Sequence, residues 1–149
     1  MIEYYKFTCF PWTCQENQPL SFILNGWLLY RWIVLFLYRT HPIYAYADKA
    51  ESERDDMRKR VDNIMRKHKV DMYICGHIHN FQHIRHKESD IDYVVNKSGS
   101  QSRNTQPSEG TVFCNGTTGF SQLAVSKDSM SLYMIDRDGN VIHKIHRSR

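Results

Sequence analysis

The alternation of apolar and polar residues is clearest from about residue 70 onward. Residues 70–75 alternate and are rich in β-forming residues, and four later runs share this character: 81–86, 91–95, 111–114 and 120–125. Two further apolar runs, 129–136 and 141–146, flank the turn sequence Arg137-Asp138-Gly139-Asn140. Because Asp-Gly between apolar runs is a strong hairpin signal, the pattern predicts a terminal β-hairpin.

A helical period precedes these strands, over residues 52–69. Apolar residues recur there at the three- and four-residue spacing of one helix face: Met57, Val61, Ile64, Met65 and His68. The strand predicted at 70–75 follows this helix with almost no linker. The order of elements therefore predicts an α/β fold in which one helix packs on a sheet, with later strands in a mixed or antiparallel sheet.

The first forty residues differ from the rest of the chain. Residues 22–38 are crowded with large apolar side chains but follow neither a helix nor a strand period, and Asn25, Gly26 and Arg31 interrupt them. A membrane helix needs ~20 apolar residues, and an arginine near its centre costs ~2.5–3.5 kcal/mol on insertion scales. We interpret residues 1–40 as a divergent N-terminal segment. Membrane association of residues 20–38 is the alternative, and no signal peptide is evident.

Composition narrows the classes of function. The 149 residues suffice for one modest domain, and the net charge of +4 is spread without a dense Lys/Arg block that carries aromatics. Nucleic-acid binding is therefore not predicted. The four cysteines form no Cys-x-x-Cys pair, which excludes a zinc ribbon. Cys75 and Cys114 lie in apolar runs, so we expect them to be buried thiols.

Two histidines follow the strand predicted at 70–75 directly. Gly76 precedes His77 and His79, and glycine permits backbone turns that other residues resist. Ligands bind at the carboxyl ends of strands in α/β sheets, and neutral imidazole is a ligand for zinc and iron. The spacing is thus compatible with a metal site. A pair of surface or hydrogen-bonded histidines is the alternative.

The sequence VDMYICGHIHNFQHI (70–84) resembles the last metal motif of calcineurin-like metallophosphoesterases, in the tartrate-resistant purple acid phosphatase branch. Residues 41–48 resemble the family's Gly-His-His/Tyr-Pro loop, and residues 93–103 resemble its Ser-Gly-rich loop. The resemblance covers residues 41–149 and includes the terminal hairpin. It implies the C-terminal half of a four-layer α/β sandwich.

The resemblance also implies a chemistry. His77 matches a ligand of the divalent metal and His79 a ligand of the ferric ion, in a two-metal centre that pairs Fe with Zn, Mn or Fe. Outer-shell candidates are His41, Asn80 and His83. The implied activity is hydrolysis of phosphate monoesters by a metal-dependent acid phosphatase.

The departures from the family pattern are extensive. The chain contains no Asp-x-His, no Gly-Asp-x-x-Tyr and no Gly-Asn-His, and Thr40 occupies a position where the family has a histidine ligand. We therefore expect at most a residual half-site, in a truncated chain that is inactive alone. The alternatives are a non-catalytic β-rich module that complements a separately encoded N-terminal half, and a membrane-anchored protein. A frameshift would explain residues 1–40.

Overall fold

In the described part of the chain, the fold consists of two β-sheets and a helical segment. The computed structural model describes residues 3–7, 34–35, 42–46, 54–55, 58–96, 102–126 and 128–148. Within these residues the strands are β1 (Glu3–Phe7), β2 (Val34–Leu35), β3 (Met72–Cys75), β4 (Phe81–Arg85), β5 (Asp92–Val95), β6 (Thr111–Asn115), β7 (Gly119–Val125), β8 (Ser129–Asp136) and β9 (Val141–Ser148). The strands predicted from residue 70 onward are all confirmed, and their ends differ by one or two residues.

The predicted helix is also present in the described part of residues 52–69. Residues 54–55 are helical, a π-helical segment spans Arg58–Asp62, and α1 spans Asn63–Lys67. The helix ends in a Schellman motif: the Val70 N–H donates to the Met65 carbonyl at 3.0 Å, and the Lys69 N–H donates to the Arg66 carbonyl at 3.1 Å. Lys69 has a left-handed backbone, φ 51°, at the position where glycine is the usual residue.

The apolar face of the helix was predicted only in part. Met65 is fully buried and Val61 packs on the core, but Ile64 is 55% exposed. Asp62 takes the inner position, where its carboxylate accepts hydrogen bonds from Arg66 Nε at 2.8 Å, from the Tyr44 hydroxyl at 3.2 Å and from the Tyr93 hydroxyl. These hydrogen bonds satisfy the buried carboxylate, so a polar residue can take a position on the inner face of the helix.

The mixed sheet has the order β2-β3-β5-β4-β6. Strands β2, β3 and β5 are parallel, whereas β4 runs antiparallel to both β5 and β6. Strand β5 therefore lies between β3 and β4, although β3 and β4 are consecutive in the chain. The second sheet is entirely antiparallel, in the order β1-β7-β8-β9, and includes the predicted terminal hairpin.

Side chains that alternate along the strands of the mixed sheet pack into two separate hydrophobic cores. One face carries Tyr73, Cys75, Tyr93 and Val95, which pack with Met65 and Val70 on the helix side. The other face carries Met72, Ile74, Phe81 and Val94, which pack on apolar residues of the antiparallel sheet: Leu123, Met130, Leu132, Met134 and Ile145. A helical layer and two stacked sheets result, which agrees with the predicted C-terminal half of a four-layer sandwich.

Among the described residues of 1–40, two short strands are present. Strand β1 pairs with β7 over five residue pairs, and β2 pairs with β3 over two. The apolar pattern did not predict β1. The remainder of residues 1–40, including most of the apolar stretch 20–38, lies outside the described residues. Within the part of the chain that is described, no helix has the length and apolar character required to cross a bilayer.

Candidate functional site

The predicted histidine pair lies in a tight turn at the carboxyl end of β3. The Ile78 N–H donates to the Gly76 carbonyl at 3.0 Å across His77, whose φ is 76°. This hydrogen bond and this φ are those of a γ-turn with a left-handed central residue, a rare and strained form. His79 is left-handed as well, with φ 62°. The buried Ile78 between them belongs to the helix-side core and anchors the turn.

The left-handed conformations fall on the histidines rather than on the glycine. We expected Gly76 to supply the unusual backbone conformation, but the non-glycine residues with positive φ in this turn are His77 and His79. A left-handed residue with a Cβ costs ~1–2 kcal/mol relative to the right-handed conformation. Such strain persists only where the surrounding structure imposes it, and it concentrates at functional sites.

The turn lies at the edge where two parallel strands end. Both histidines are half-buried, and Asn96 follows the neighbouring strand β5. The Asn96 N–H donates to the Cys75 carbonyl at 2.7 Å, which fixes the end of β5 beside the start of the turn. Asn96 was not among the predicted site residues. Asn96 directly follows an apolar strand that is parallel to β3. In α/β sheets, ligands bind at the edge where such strands end, so this position could have indicated a site residue.

Hydrogen bonds of the Gln82 and Asn80 side-chain amides connect this turn to the loop at residues 42–46. The buried Gln82 donates from Nε2 to Asn80 Oδ1 at 2.7 Å and to the Tyr46 carbonyl at 2.9 Å, and its Oε1 accepts the Tyr46 N–H at 2.8 Å. Asn80, an outer-shell candidate, is fully buried and also donates to the Asn104 carbonyl at 3.5 Å. Both side chains therefore hold the backbone around the histidine pair.

A second loop, residues 102–105, lies against the turn. The Arg103 N–H donates to the His79 carbonyl at 3.1 Å, and the hydrogen bond from Asn80 reaches the next residue, Asn104. Gly116, directly after β6, lies against this loop, because a Cβ there would approach the Arg103 carbonyl oxygen to 3.0 Å. The side chain of Arg103 is exposed. Arg103 belongs to the predicted Ser-Gly-rich stretch 93–103, whose pattern gave it no predicted role.

His83, another outer-shell candidate, lies on the face of the mixed sheet opposite to Gln82. Gln82 and His83 are successive residues of β4, so their side chains project to opposite faces of the sheet. His83 is buried between the two sheets, where its Nε2 lies 2.8 Å from Asp92 Oδ1 and its Nδ1 lies 2.9 Å from His143 Nε2. It is therefore a hydrogen-bonded histidine of the interface between the sheets.

Asp92 is the buried carboxylate at the centre of this interface. Arg85 Nε donates to one of its oxygens at 2.6 Å and Arg147 Nε donates to the other at 2.6 Å. Burial alone would raise the pKa of Asp92, but the hydrogen bonds from His83, Arg85 and Arg147 outweigh it and hold that pKa far below its usual value. Burial, with a smaller contribution from His83, lowers the pKa of His143 to about 4.

The metal ligands implied by the resemblance are incomplete among the described residues. His41 and Thr40 lie outside them. The described ranges contain no group of three or more His, Cys, Asp or Glu side chains that could hold a metal ion. His77 and His79 lie two residues apart in the turn, and the role of metal ligands that the resemblance implies for them stays a prediction. The buried-thiol prediction holds for Cys75, whose Sγ donates to the Val94 carbonyl at 3.4 Å, and Cys114 is half-buried and unbridged.

Comparison with known proteins supports the resemblance over part of the chain. No protein-family model matches it. Purple acid phosphatase 4 of Arabidopsis thaliana is 31% identical over 91 residues, which cover 58% of this chain and 26% of that protein. The chain spans about a quarter of the length of the curated relatives it matches.

Solved structures agree on the fold. The purple acid phosphatase PPD1 from yellow lupin (Lupinus luteus) seeds superposes with a TM-score of 0.62 at 20% identity, covering 75% of this chain and 24% of that one. GAP50, the anchor in the inner membrane complex of Plasmodium, gives a TM-score of 0.63 at 21% identity, covering 73% of this chain and 34% of that one. The chain is therefore similar over part of its length to purple acid phosphatases, and its two sheets and helix agree with the C-terminal half of their α/β fold.

Proposed function

We propose that this chain is a phosphoesterase-type module whose histidine turn is a metal half-site, and that the chain alone does not hydrolyse phosphate monoesters. The partial homology to purple acid phosphatases supports the class of substrate. These relatives are longer proteins, and this chain spans about a quarter of their length.

The observation that carries the proposal is the backbone of the histidine turn. His77 and His79 both hold left-handed conformations at the carboxyl end of a parallel strand. Hydrogen bonds of the Asn80 and Gln82 side chains and of the Arg103 backbone fix the segment around them. A turn strained in this way, and held from several sides, is more typical of a ligand site than of an ordinary connection.

The expected inactivity follows from the ligand set. Zinc sites in proteins almost always use at least three protein ligands, and two-metal centres require ligands that clamp both ions. The turn supplies two imidazoles, and the aspartate-bearing motifs of the family do not occur in the sequence. A metal held by two histidines and water would bind weakly, and the attacking water would be poorly activated.

Metal binding and hydrolysis are tested separately. The chain and a His77→Ala, His79→Ala variant are titrated with Zn²⁺ against a chromophoric chelator, and p-nitrophenyl phosphate hydrolysis is measured with Zn²⁺ and iron added. A His68→Ala, His146→Ala variant is the matched control, because both of those histidines are exposed and lie outside the turn. We expect weak Zn²⁺ binding that only the turn variant loses, and no turnover.

Two results would contradict this proposal in different ways. Turnover that depends on both histidines of the turn would refute the inactivity of the chain. Equal Zn²⁺ binding by the wild-type chain and the turn variant would refute the half-site.

A second candidate function is a non-catalytic module that pairs with a separately encoded N-terminal half. The sheet order favours it, because β2 is the outermost strand of the mixed sheet within the described residues, and a partner strand could add to such an edge. Affinity purification of the tagged chain should then recover a protein that carries the Asp-x-His and Gly-Asp-x-x-Tyr motifs. Recovery of the chain alone, without a protein of that kind, would contradict this candidate.

A further inference from the structure

Arg103 is the positively charged residue that the fold fixes beside the histidine turn. Its backbone N–H donates to the His79 carbonyl at 3.1 Å, so its Cα lies close to one of the two histidines. The neighbouring Asn104 carbonyl accepts from the buried Asn80 side chain. The loop therefore places residue 103 at the turn through two contacts, one to the backbone and one to a side chain of the histidine motif.

The guanidinium of Arg103 is available for an external partner. The side chain is exposed, and within the described ranges it forms no hydrogen bond or ion pair. Other arginines near the helix and the inter-sheet region are engaged: Arg58 contacts Asp55, Arg66 contacts Asp62, and Arg147 contacts Asp92. Residues 102–105 and 76–80 contain no acidic side chain.

The supporting packing restricts where this arginine can lie. A Cβ on Gly116 would approach the Arg103 carbonyl oxygen to 3.0 Å, so the loop runs in close contact with β6. A loop held by β6 on one side and by the turn on another presents its side chain from a defined backbone position. Less conformational entropy is then lost when the side chain binds a ligand.

We propose that Arg103 is the phosphate-binding residue of the histidine turn, contacting the terminal oxygens of a phosphate monoester. The planar guanidinium presents paired N–H donors that match two oxygens of a phosphoryl group, and it stays charged throughout the physiological pH range. This inference deepens the proposed function and rests on it for the class of ligand, but the arginine contact itself does not require a bound metal.

The experiment measures binding of phenylphosphonate, which cannot be hydrolysed as an ester, by isothermal titration calorimetry with and without Zn²⁺. The variants are Arg103→Gln, Arg103→Lys and the control Arg137→Gln, which removes an exposed arginine from the β8–β9 turn. We expect Arg103→Gln to weaken binding about tenfold or more, as befits the loss of charged hydrogen bonds. Arg103→Lys should retain part of the affinity, and Arg137→Gln should match the wild-type chain.

The outcomes separate this inference from the half-site. Equal loss of affinity in Arg103→Gln and Arg137→Gln would show a general charge effect and overturn the assignment of Arg103, as would unchanged binding in Arg103→Gln. If Zn²⁺ does not bind but phosphonate binding still depends on Arg103, the half-site fails and the arginine assignment stands. If Zn²⁺ binds normally to Arg103→Gln while phosphonate binding falls, both stand.

Discussion

Asp92 and His83 join adjacent strands of the mixed sheet through a hydrogen bond of 2.8 Å between Asp92 Oδ1 and His83 Nε2, at the surface where the antiparallel sheet packs. Arg147 reaches the same carboxylate from β9, and His143 reaches the same imidazole. In the described residues, the interface between the two sheets thus combines an apolar cluster with a buried ionic cluster at β4, β5 and β9. A buried carboxylate held by several donors is costly to disrupt from one side.

Replacing Asp92 by asparagine should destabilise the fold strongly. The variant leaves Arg147 without its carboxylate in a partly buried position, and loss of one partner from a buried ion pair costs ~3–5 kcal/mol. The free energy of unfolding in urea measures the effect. Asp138→Asn, in the exposed turn of the terminal hairpin, is the control and should change it by less than about 0.5 kcal/mol. Similar values for the two variants would show that the Asp92 cluster contributes little.

Stability should fall as the pH decreases from about 6.5 to 4. Burial lowers the pKa of His143 to about 4 in the folded chain, against 6.5 for an unperturbed histidine. Between these values the unfolded chain binds more protons than the folded one, so stability is lost as the pH falls. The pKa of Asp92 is lowered on folding as well, and its protonation removes further stability below its usual value of 3.8.

The midpoint of urea unfolding, measured in steps from pH 7 to pH 4, checks this dependence on pH. His143→Gln removes the titrating ring and keeps a side chain that can bond His83. We expect a shallower pH dependence in that variant than in the wild-type chain. Parallel curves would assign the acid sensitivity to groups other than His143.

Replacing Lys69 by glycine should stabilise the chain. Lys69 holds a φ of 51° at the end of α1, in the Schellman position that glycine occupies at little cost. Removal of the Cβ should gain ~0.5–1 kcal/mol, less than the full cost of the left-handed conformation because glycine is also freer in the unfolded chain. Lys67→Gly, inside the last turn of the same helix, is the control for glycine in a helical conformation. Its free energy of unfolding should fall by ~1 kcal/mol. Thermal unfolding of the two variants should therefore shift in opposite directions.

Gly119 should tolerate no larger residue at the start of β7. A Cβ there would collide with the backbone carbonyl of Ile135 on β8, which cannot swing aside as a side chain could. Gly119→Ala should lower the free energy of unfolding by ~1–3 kcal/mol, as overpacking does. Gly139→Ala is the control for backbone strain without a collision. Gly139 has φ 88°, but no atom lies within 4 Å of the Cβ that alanine would add. If Gly139→Ala lowers the free energy of unfolding more than Gly119→Ala does, the predicted collision at Gly119 is contradicted.

The strands and the helix were predictable because their burial follows the sequence periodicity. In β8, the buried residues Met130, Leu132 and Met134 alternate with half-buried ones, and the Asp-Gly turn fixed the register of the hairpin. The exposed Ile64 was not predictable from apolar spacing, because Asp62 takes the inner position instead, where Tyr44, Arg66 and Tyr93 donate to its carboxylate. A hydrogen-bonded polar residue at such a position leaves no periodic signal.

The candidate site was predictable in its residue types but not in its geometry. The histidine pair and its place after a strand followed from the motif. The left-handed backbone of His77 and His79, and the docking of Arg103 on His79, depend on residues far away in the chain, such as Gly116. Likewise His83 and Asn80 differ by three positions, yet one bonds across the interface between the sheets and the other supports the turn.

The position of β5 between β3 and β4 has a kinetic consequence for the histidine turn. Strands β3 and β4 flank the turn, but they do not pair with each other, so the segment cannot form early as an independent hairpin. Residues 92–95 must first enter the gap between them, and loop closure over these separations slows folding. The histidine turn should therefore acquire its native shape late, together with the completed sheet, and an unfolding event that releases β5 should abolish it at the same time.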